Sequence, residues 1–306
     1  MGYGLAMERL LVITNSGAGT ADEENLEAPL SVLRSAYAVE VVATASLDDL
    51  DDALAGADGR TVVVAGGDGS LHAVVQTLHT RGELADNTLA LLPLGTGNDF
   101  ARTVGLPLVA DEAARALMKG TVRPVDLVVA DDGTVVVNHV HLGAGAQAAR
   151  FGADWKEKLG SAGVGKLNLG KLGYPIGALQ AAASEPVRVR IEVDGEEVAD
   201  EEVLMVALGN GASVGGGAEL TPDADVSDGR IDVMVSTANG PLARWAYAAA
   251  IARGDHQDRD DVTALHGTTV RITGEKFWTS ADGELSGPHT ERTWRVERGA
   301  FRMLLP

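Results

Sequence analysis

Cysteine is absent from the 306 residues. That excludes disulfides, thiolate metal sites and thiol nucleophiles together. Apolar runs long enough for a membrane-spanning helix are absent too, since none reaches about 18 residues. The first ten residues, MGYGLAMERL, lack a charged region followed by an apolar core, so no secretory signal is expected and a cytoplasmic location is the simplest one. Positive charge is scarce. Lys and Arg number 25 against 44 Asp and Glu, a formal charge of −19, which makes nucleic acid a poor partner. Of the few lysines, Lys156, Lys158, Lys166 and Lys171 fall in one short segment. They are a solvated basic loop or a local contact with an anionic surface. What the chain does have is apolar content, 45%, enough for a sizeable core and for two domains at this length.

One stretch poses a chemical question. In TVVVAGGDGSLHAVVQTLH, residues 61–79, a β-branched run stops at small, flexible residues and a helical pattern follows at once. Thr61 to Val64 reads as a buried parallel strand. Leu71, Val74, Val75 and Leu78 recur on one helical face. Gly66, Gly67 and Gly69 let another group approach the backbone, and a helix start favours an anion. Asp68 in such a turn is unfavourable beside a phosphate unless a cation lies between, and Mg²⁺ is the usual one. A tight strand–helix connection is the plain structural alternative.

The first part of the chain alternates strand and helix. Strands are expected at 10–14, 39–44, 61–65 and 89–94. Helices are expected around Leu26, Leu30 and Leu33, after an N-cap at Ser46, after residue 70, and from a cap at Asp111. This rhythm predicts an open, mostly parallel α/β sheet over residues 1–125. From 126 to 306 the pattern changes to strands at 125–130, 134–140, 187–194, 202–208, 230–236, 268–273 and 293–305. Asp131-Asp132-Gly133 and Asp194-Gly195 are hairpin signals. A mainly antiparallel β domain is expected there, with helical excursions near 166–184 and 241–253, and a nucleotide cleft between the domains.

A second Gly-rich turn follows the fourth strand, in LLPLGTGNDFAR at 91–102. Parallel strands present their C-terminal ends on one edge, so two such turns make a nucleotide cradle more specific than one. Asn98 and Asp99 also suit plain helix capping. Gly-Gly-Asp-Gly-Ser followed by Gly-Thr-Gly-Asn-Asp-Phe-Ala resembles the catalytic domain of the diacylglycerol kinase and sphingosine kinase-like lipid kinases, the bacterial soluble branch most of all. The first motif alone is also similar to those of NAD kinases and phosphofructokinases. GKLGYPIGALQAA (170–182), the stretch 206–233 and ADGELSG (281–287) extend the resemblance nearly end to end.

The resemblance implies roles. Gly66, Gly67, Asp68, Gly69 and Ser70 would wrap the ATP phosphates, while Thr44, Gly95, Thr96, Gly97, Asn98 and Asp99 would complete the nucleotide site. Glu284, in Asp282-Gly283-Glu284, would be the base on the lipid hydroxyl, with Asp68 as the second catalytic carboxylate. Asp225, Asp228 and Arg230 match a bound Mg²⁺ position, where Arg230 can offer only its carbonyl. An Asx-type turn is the structural alternative for DVSDG, and an ordinary β-turn for ADGE. Many relatives carry Asn-Glu where this chain has His72-Ala73, so a carboxylate is lost there, and Asn15-Ser16 replaces the usual Asn-Pro.

The expected activity is ATP- and Mg²⁺-dependent phosphoryl transfer to a lipid alcohol such as diacylglycerol. Trp155, Leu159, Leu167, Leu169, Leu172 and Tyr174 interleave with the four lysines. That segment could rest on an anionic membrane face, or it could be core packing. A kinase for a small soluble alcohol and a catalytically weak regulatory nucleotide binder remain alternatives. Homodimerisation is open.

Overall fold

The computed structural model describes residues 8–16, 20–144, 146 and 185–306. The four clustered lysines, the 170–182 motif and the expected helix near 166–184 lie outside the described residues. The chain divides into two compact units, Met1–Leu127 with Arg298–Pro306, and Val128–Glu297.

The first unit alternates β1 (Arg9–Asn15), α1 (Thr20–Arg34), β2 (Ala38–Thr44), α2 (Leu47–Ala55), β3 (Thr61–Gly66), α3 (Asp68–Arg81) and β4 (Thr88–Pro93). A short α4 (Asp99–Thr103), α5 (Ala110–Leu117) and the beginning of β5 (Thr121–Ala130) follow. β1 pairs in parallel with β2 and with β3, and β3 pairs in parallel with β4. The strand order is therefore 4-3-1-2, and the direction of winding reverses between β1 and β3. Consecutive residues Leu10–Ile13, Val62–Ala65 and Leu89–Leu92 are all buried, which marks strands covered on both faces. The expected helical faces supply the cover: Leu26, Leu30 and Leu33 from α1, and Leu71, Val74, Val75 and Leu78 from α3.

Ser46 is the N-cap of α2. Its Oγ accepts the Asp49 N–H at 3.1 Å, and the Asp49 carboxylate accepts the Ser46 N–H at 3.1 Å in return. The expected cap at Asp111 is corrected: Val109 holds the N-cap position of α5. Asp111 lies inside the first turn, where its carboxylate accepts from Arg115 one turn on at 2.6 Å. The chain's last residues join this unit, with Arg302 and Met303 parallel to Thr88 and Leu89 of β4. Gly299 N–H donates to Asp126 at 2.6 Å and pins the point of entry.

The second unit is antiparallel. It contains the end of β5, β6 (Val135–Val136), β7 (His139–Gly143), β8 (Val187–Val193), β9 (Glu196–Val203) and β10 (Met205–Gly209). Two short strands β11 (Ser213–Val214) and β12 (Ala218–Glu219), then β13 (Ile231–Ser236), α6 (Pro241–Arg253), β14 (Val262–Gly267), β15 (Thr269–Ala281) and β16 (Glu284–Leu305) as far as Glu297 complete it. The order β14-β13-β10-β7-β15-β16 forms its main sheet, with β8 and β9 added along the first half of β15. β10 is buried throughout. Val206 and Leu208 enter one core with Val233, Ile272, Phe277 and Trp294, while Met205 and Ala207 enter a second core with Met234 and Tyr247 of α6. The period of two sends alternate residues to opposite faces.

A single strand at 134–140 is expected from the sequence, but two strands form. The N–H groups of Val137, Asn138 and His139 turn to the Asp282 carboxylate instead of a neighbouring strand, at 2.7, 2.9 and 2.9 Å.

Replacing Ser46 by Ala removes one arm of the α2 capping box. Unfolding in urea should show a loss of about 1 kcal/mol with an unchanged m-value.

Candidate active site

Both Gly-rich turns of the first unit follow parallel strands at their C-terminal ends. α3 begins at Asp68, and no side chain caps it. Its first-turn N–H groups point where an anion is favoured. The turns meet backbone to backbone. A Cβ on Gly67 would stand 2.9 Å from the Gly95 Cα, closer than real Cβ contacts allow, so both positions require glycine. At Gly66 a Cβ would collide with the Ser70 side chain.

Asp68 joins the two turns. Its carboxylate accepts the N–H of Asp99 at 3.1 Å and of Phe100 at 3.0 Å, the first two residues of α4. The cap of α4 thus comes from about 30 residues upstream rather than from the preceding residue. Asn98 sits at φ 51°, and its side chain clamps Gly95, accepting from the N–H at 3.0 Å and donating to the carbonyl at 2.7 Å. Thr96 is exposed and Gly97 half-buried.

Beside the first of these turns, at Ser70, lies a cavity of about 250 Å³. It opens at the ends of β1 and β3, where the winding reverses, the place where open α/β sheets take ligands. Thr14, Asn15, Thr44, Ser70 and Ala73 are among its lining residues. Thr44 and Ser70 are thereby brought to one cavity. Ala73 lines it with a methyl group.

In the second unit, Asp282 and Gly283 form a two-residue hairpin turn between β15 and β16. Both have positive φ, 47° and 94°, and Ala281 pairs with Glu284 across the turn. Glu284 is exposed. Asp282 is held by the three N–H groups of 137–139 and returns its own N–H to the His139 carbonyl at 2.8 Å. Behind this turn lies a buried polar layer not foreseen from the sequence. Asn138 donates to the Ser213 carbonyl at 2.6 Å, and Asn210 to the Val137 carbonyl at 2.9 Å. Thr221 Oγ1 donates to the Gly211 carbonyl at 2.9 Å, so it must accept from His139 Nε2 at 2.8 Å. That fixes the neutral Nε2–H tautomer of His139. The signal was the alternation Asn138-His139-Val140-His141 inside an otherwise apolar strand. His139 and His141 stack, with ring centroids 5.5 Å apart. Burial depresses both pKa values: His139 falls well below the ordinary range, aided by His141, and His141 falls to about 4 against a counter-pull from Asp282.

Asp225, Asp228 and Arg230 share one turn. Asp225 Oδ1 accepts from the Ser227 N–H at 2.9 Å and hydroxyl at 2.7 Å, and Asp228 Oδ1 accepts from the Arg230 N–H at 2.9 Å. This is the Asx-type geometry. The Arg230 guanidinium reaches His266 Nε2 at 2.8 Å. Burial, then the Asp228 charge, pushes Asp232 up to about 6. Among the described residues, no group of three or more His, Asp or Glu stands close enough to hold a metal.

The Diacylglycerol kinase catalytic domain family matches residues 9–130, and the YegS C-terminal NAD kinase beta sandwich-like domain family matches residues 151–305. A probable YegS-like lipid kinase of Stenotrophomonas maltophilia (strain K279a) is 39% identical over 256 residues, spanning 80% of this chain and 78% of that one. The chain belongs to the diacylglycerol kinase-like lipid kinases. The diacylglycerol kinase of Bacillus subtilis (strain 168) is 33% identical over 235 residues, 74% of this chain and 71% of that one. A crystal structure of a diacylglycerol kinase from Bacillus anthracis str. Sterne covers 98% of this chain and 97% of that one, with a TM-score of 0.76 at 27% identity. Yeast NADH kinase shares the fold alone, at 13% identity and a TM-score of 0.50 over 99% of this chain and 84% of that one. No described helix of this lipid kinase is long and apolar enough to cross a membrane.

Asp68→Asn should destabilise the kinase by about 1–3 kcal/mol, since an amide can accept only one of the two N–H groups with its oxygen. Urea unfolding checks this, and an unchanged midpoint would show that the bridge between the turns is idle. The buried histidines give a pH dependence of defined sign. Their folded pKa values lie below the unfolded value of 6.5, so the unfolded chain binds more protons in that window. Their contribution is therefore complete above pH 6.5 and declines toward pH 4, by at most about 1.4 kcal/mol per pH unit for each histidine. His141→Gln should flatten the slope of unfolding free energy between pH 6.5 and 4.

Proposed function

We propose that this lipid kinase transfers the γ-phosphoryl group of ATP to the hydroxyl of a diacylglycerol-like lipid, with Mg²⁺. The observation that carries the reading is the pair of abutting Gly turns beside a cavity at the winding reversal of a parallel sheet. Phosphoryl transfer asks for positioning and charge neutralisation more than for covalent chemistry. The N–H groups at the α3 start ahead of Ser70 supply donors for phosphate oxygens, the Ser70 N–H being spent on the Gly67 carbonyl at 3.1 Å, and Thr44 and Ser70 line the adjoining cavity. Gly95, Thr96 and Gly97 form the second Gly turn, which abuts the first at Gly67. Asn98 holds its shape, its amide being engaged with Gly95, and the Asp99 N–H is taken by Asp68. Asp68 acts in this reading by keeping the turns together.

Glu284 serves as the base. It is exposed, it follows a turn locked by Asp282, and its carboxylate can take the proton as the hydroxyl attacks phosphorus. Diacylglycerol is favoured over a soluble alcohol by the named activity of one relative at 33% identity.

The Asp225–Arg230 turn offers hard oxygen donors of the kind Mg²⁺ takes. Asp225 and Asp228 each spend Oδ1 on their own turn. An ion there would be held by the other carboxylate oxygens, the Arg230 carbonyl and water. Bound Mg²⁺ would neutralise charge in this acidic loop. Lys156, Lys158, Lys166 and Lys171 would contribute cationic contacts to an anionic membrane surface.

The deciding experiment offers ATP with a panel of diacylglycerols, other lipid alcohols and soluble polyols. Wild type should phosphorylate the lipid alcohols and leave the polyols untouched. Glu284→Gln should lower kcat by roughly 10²–10⁴ while the melting temperature stays constant, as befits an exposed residue. Near-normal kcat in that variant would remove Glu284 from the role of base.

A further inference from the structure

A surface helix normally turns a polar face to water, so one whose outer face is also apolar and free of acids calls for an apolar or interfacial cover. α6 fits this description. Tyr247, Ala248 and Ala250 face the core. On the other side Leu242, Trp245, Ala249 and Ala252 are exposed at helical spacing. Leu242 is 82% and Trp245 51% accessible, the two largest exposed apolar groups on one described helix. The helix carries Arg244 and Arg253 and no acidic residue, in a chain of net charge −19.

The geometry points to α6 as a membrane-docking helix that lies in the headgroup region of an anionic bilayer, with Leu242 and Trp245 as its wedge. This rests on the lipid kinase assignment only for the nature of the surface, since a lipid acceptor is presented by a bilayer. Trp is the side chain most at home at that interface. Thirteen residues give a helix of about 20 Å, too short to span and long enough to lie flat. Acidic residues cluster past its C-terminal end, at Asp255, Asp258, Asp260 and Asp261. Arg253 holds Asp255 and Arg259 holds Asp261, at 2.9 and 2.6 Å. Leu242 begins the opposite end, about 20 Å from Asp255 along the helix, more than two screening lengths at physiological salt. Two acids stand nearer: Asn239, in the approach to α6, donates to the backbone carbonyl of Glu202, and the Thr237 N–H donates to the backbone carbonyl of Asp261 at 2.9 Å, whose carboxylate Arg259 holds. Binding is therefore led by the apolar wedge, with Arg244 as the adjacent cation.

The test uses full-length protein and vesicles of phosphatidylglycerol mixed with phosphatidylcholine. Leu242→Ser combined with Trp245→Ser should reduce the vesicle-bound fraction by about tenfold or more. Its melting temperature should equal that of wild type, because both side chains are exposed. Quenching of tryptophan fluorescence by bromolipid should fall in Trp245→Phe. Equal sedimentation of wild type and double variant overturns the proposal. So does a wild-type dimer that the double variant converts to monomer with vesicle binding unchanged, because the face would then cover a second copy. If the wedge governs vesicle binding but no lipid alcohol is phosphorylated, docking stands and the activity reading fails, so the two are separable.

Discussion

Aspartate carboxylates that collect backbone N–H groups from distant segments hold this kinase's functional loops in shape. Asp68 takes two from the start of α4, and Asp282 takes three from residues 137–139. Asp194 does the same for Thr268 and Thr269 in the second unit. A hydrogen bond to a charged group contributes about 1.5–3 kcal/mol, and an orphaned N–H costs a similar amount. Each carboxylate therefore replaces a ladder or a local cap. At 137–139 it breaks a strand in two, and at α4 it supplies a cap that Asn98, turned back onto Gly95, does not.

The same bonds change the electrostatic picture around the phosphate turn. A bare carboxylate beside phosphate calls for a cation between them. Asp68 has both oxygens turned to N–H dipoles, so part of its charge is met by backbone and its side chain is oriented toward α4. The cavity lies at the ends of β1 and β3, where Thr44, Ser70 and Ala73 gather. Ala73 lines this cavity with a methyl group and brings no charge to it.

In the second unit, polarity is buried rather than displayed. His139, His141, Asn138, Asn210 and Thr221 lie behind the Asp282 turn, all buried. Kept neutral by desolvation, the histidines avoid the cost of a buried charge at neutral pH. The layer joins β7, the 209–213 loop and Thr221 in one network, which leaves the Glu284 turn on a rigid base.

The sequence by itself determined what local periodicity and turn chemistry can encode. The parallel strands through 93, the apolar faces of α1 and α3, the capping box at Ser46 and the hairpin at Asp194-Gly195 were all legible, because each depends on residues within a few positions. Both Gly-rich turns were legible for the same reason, and their order and spacing carried the family. Only the tertiary structure decided the partners of long reach. That Gly67 must abut Gly95, that Asp68 caps α4, that Asp282 splits the expected strand at 134–140, and that the last residues return to β4 of the first unit all depend on contacts between segments far apart in the chain. A carboxylate looks the same in sequence whether it meets a cation, water or three backbone N–H groups. Which of these it meets is set by where the fold leaves donors unpaired.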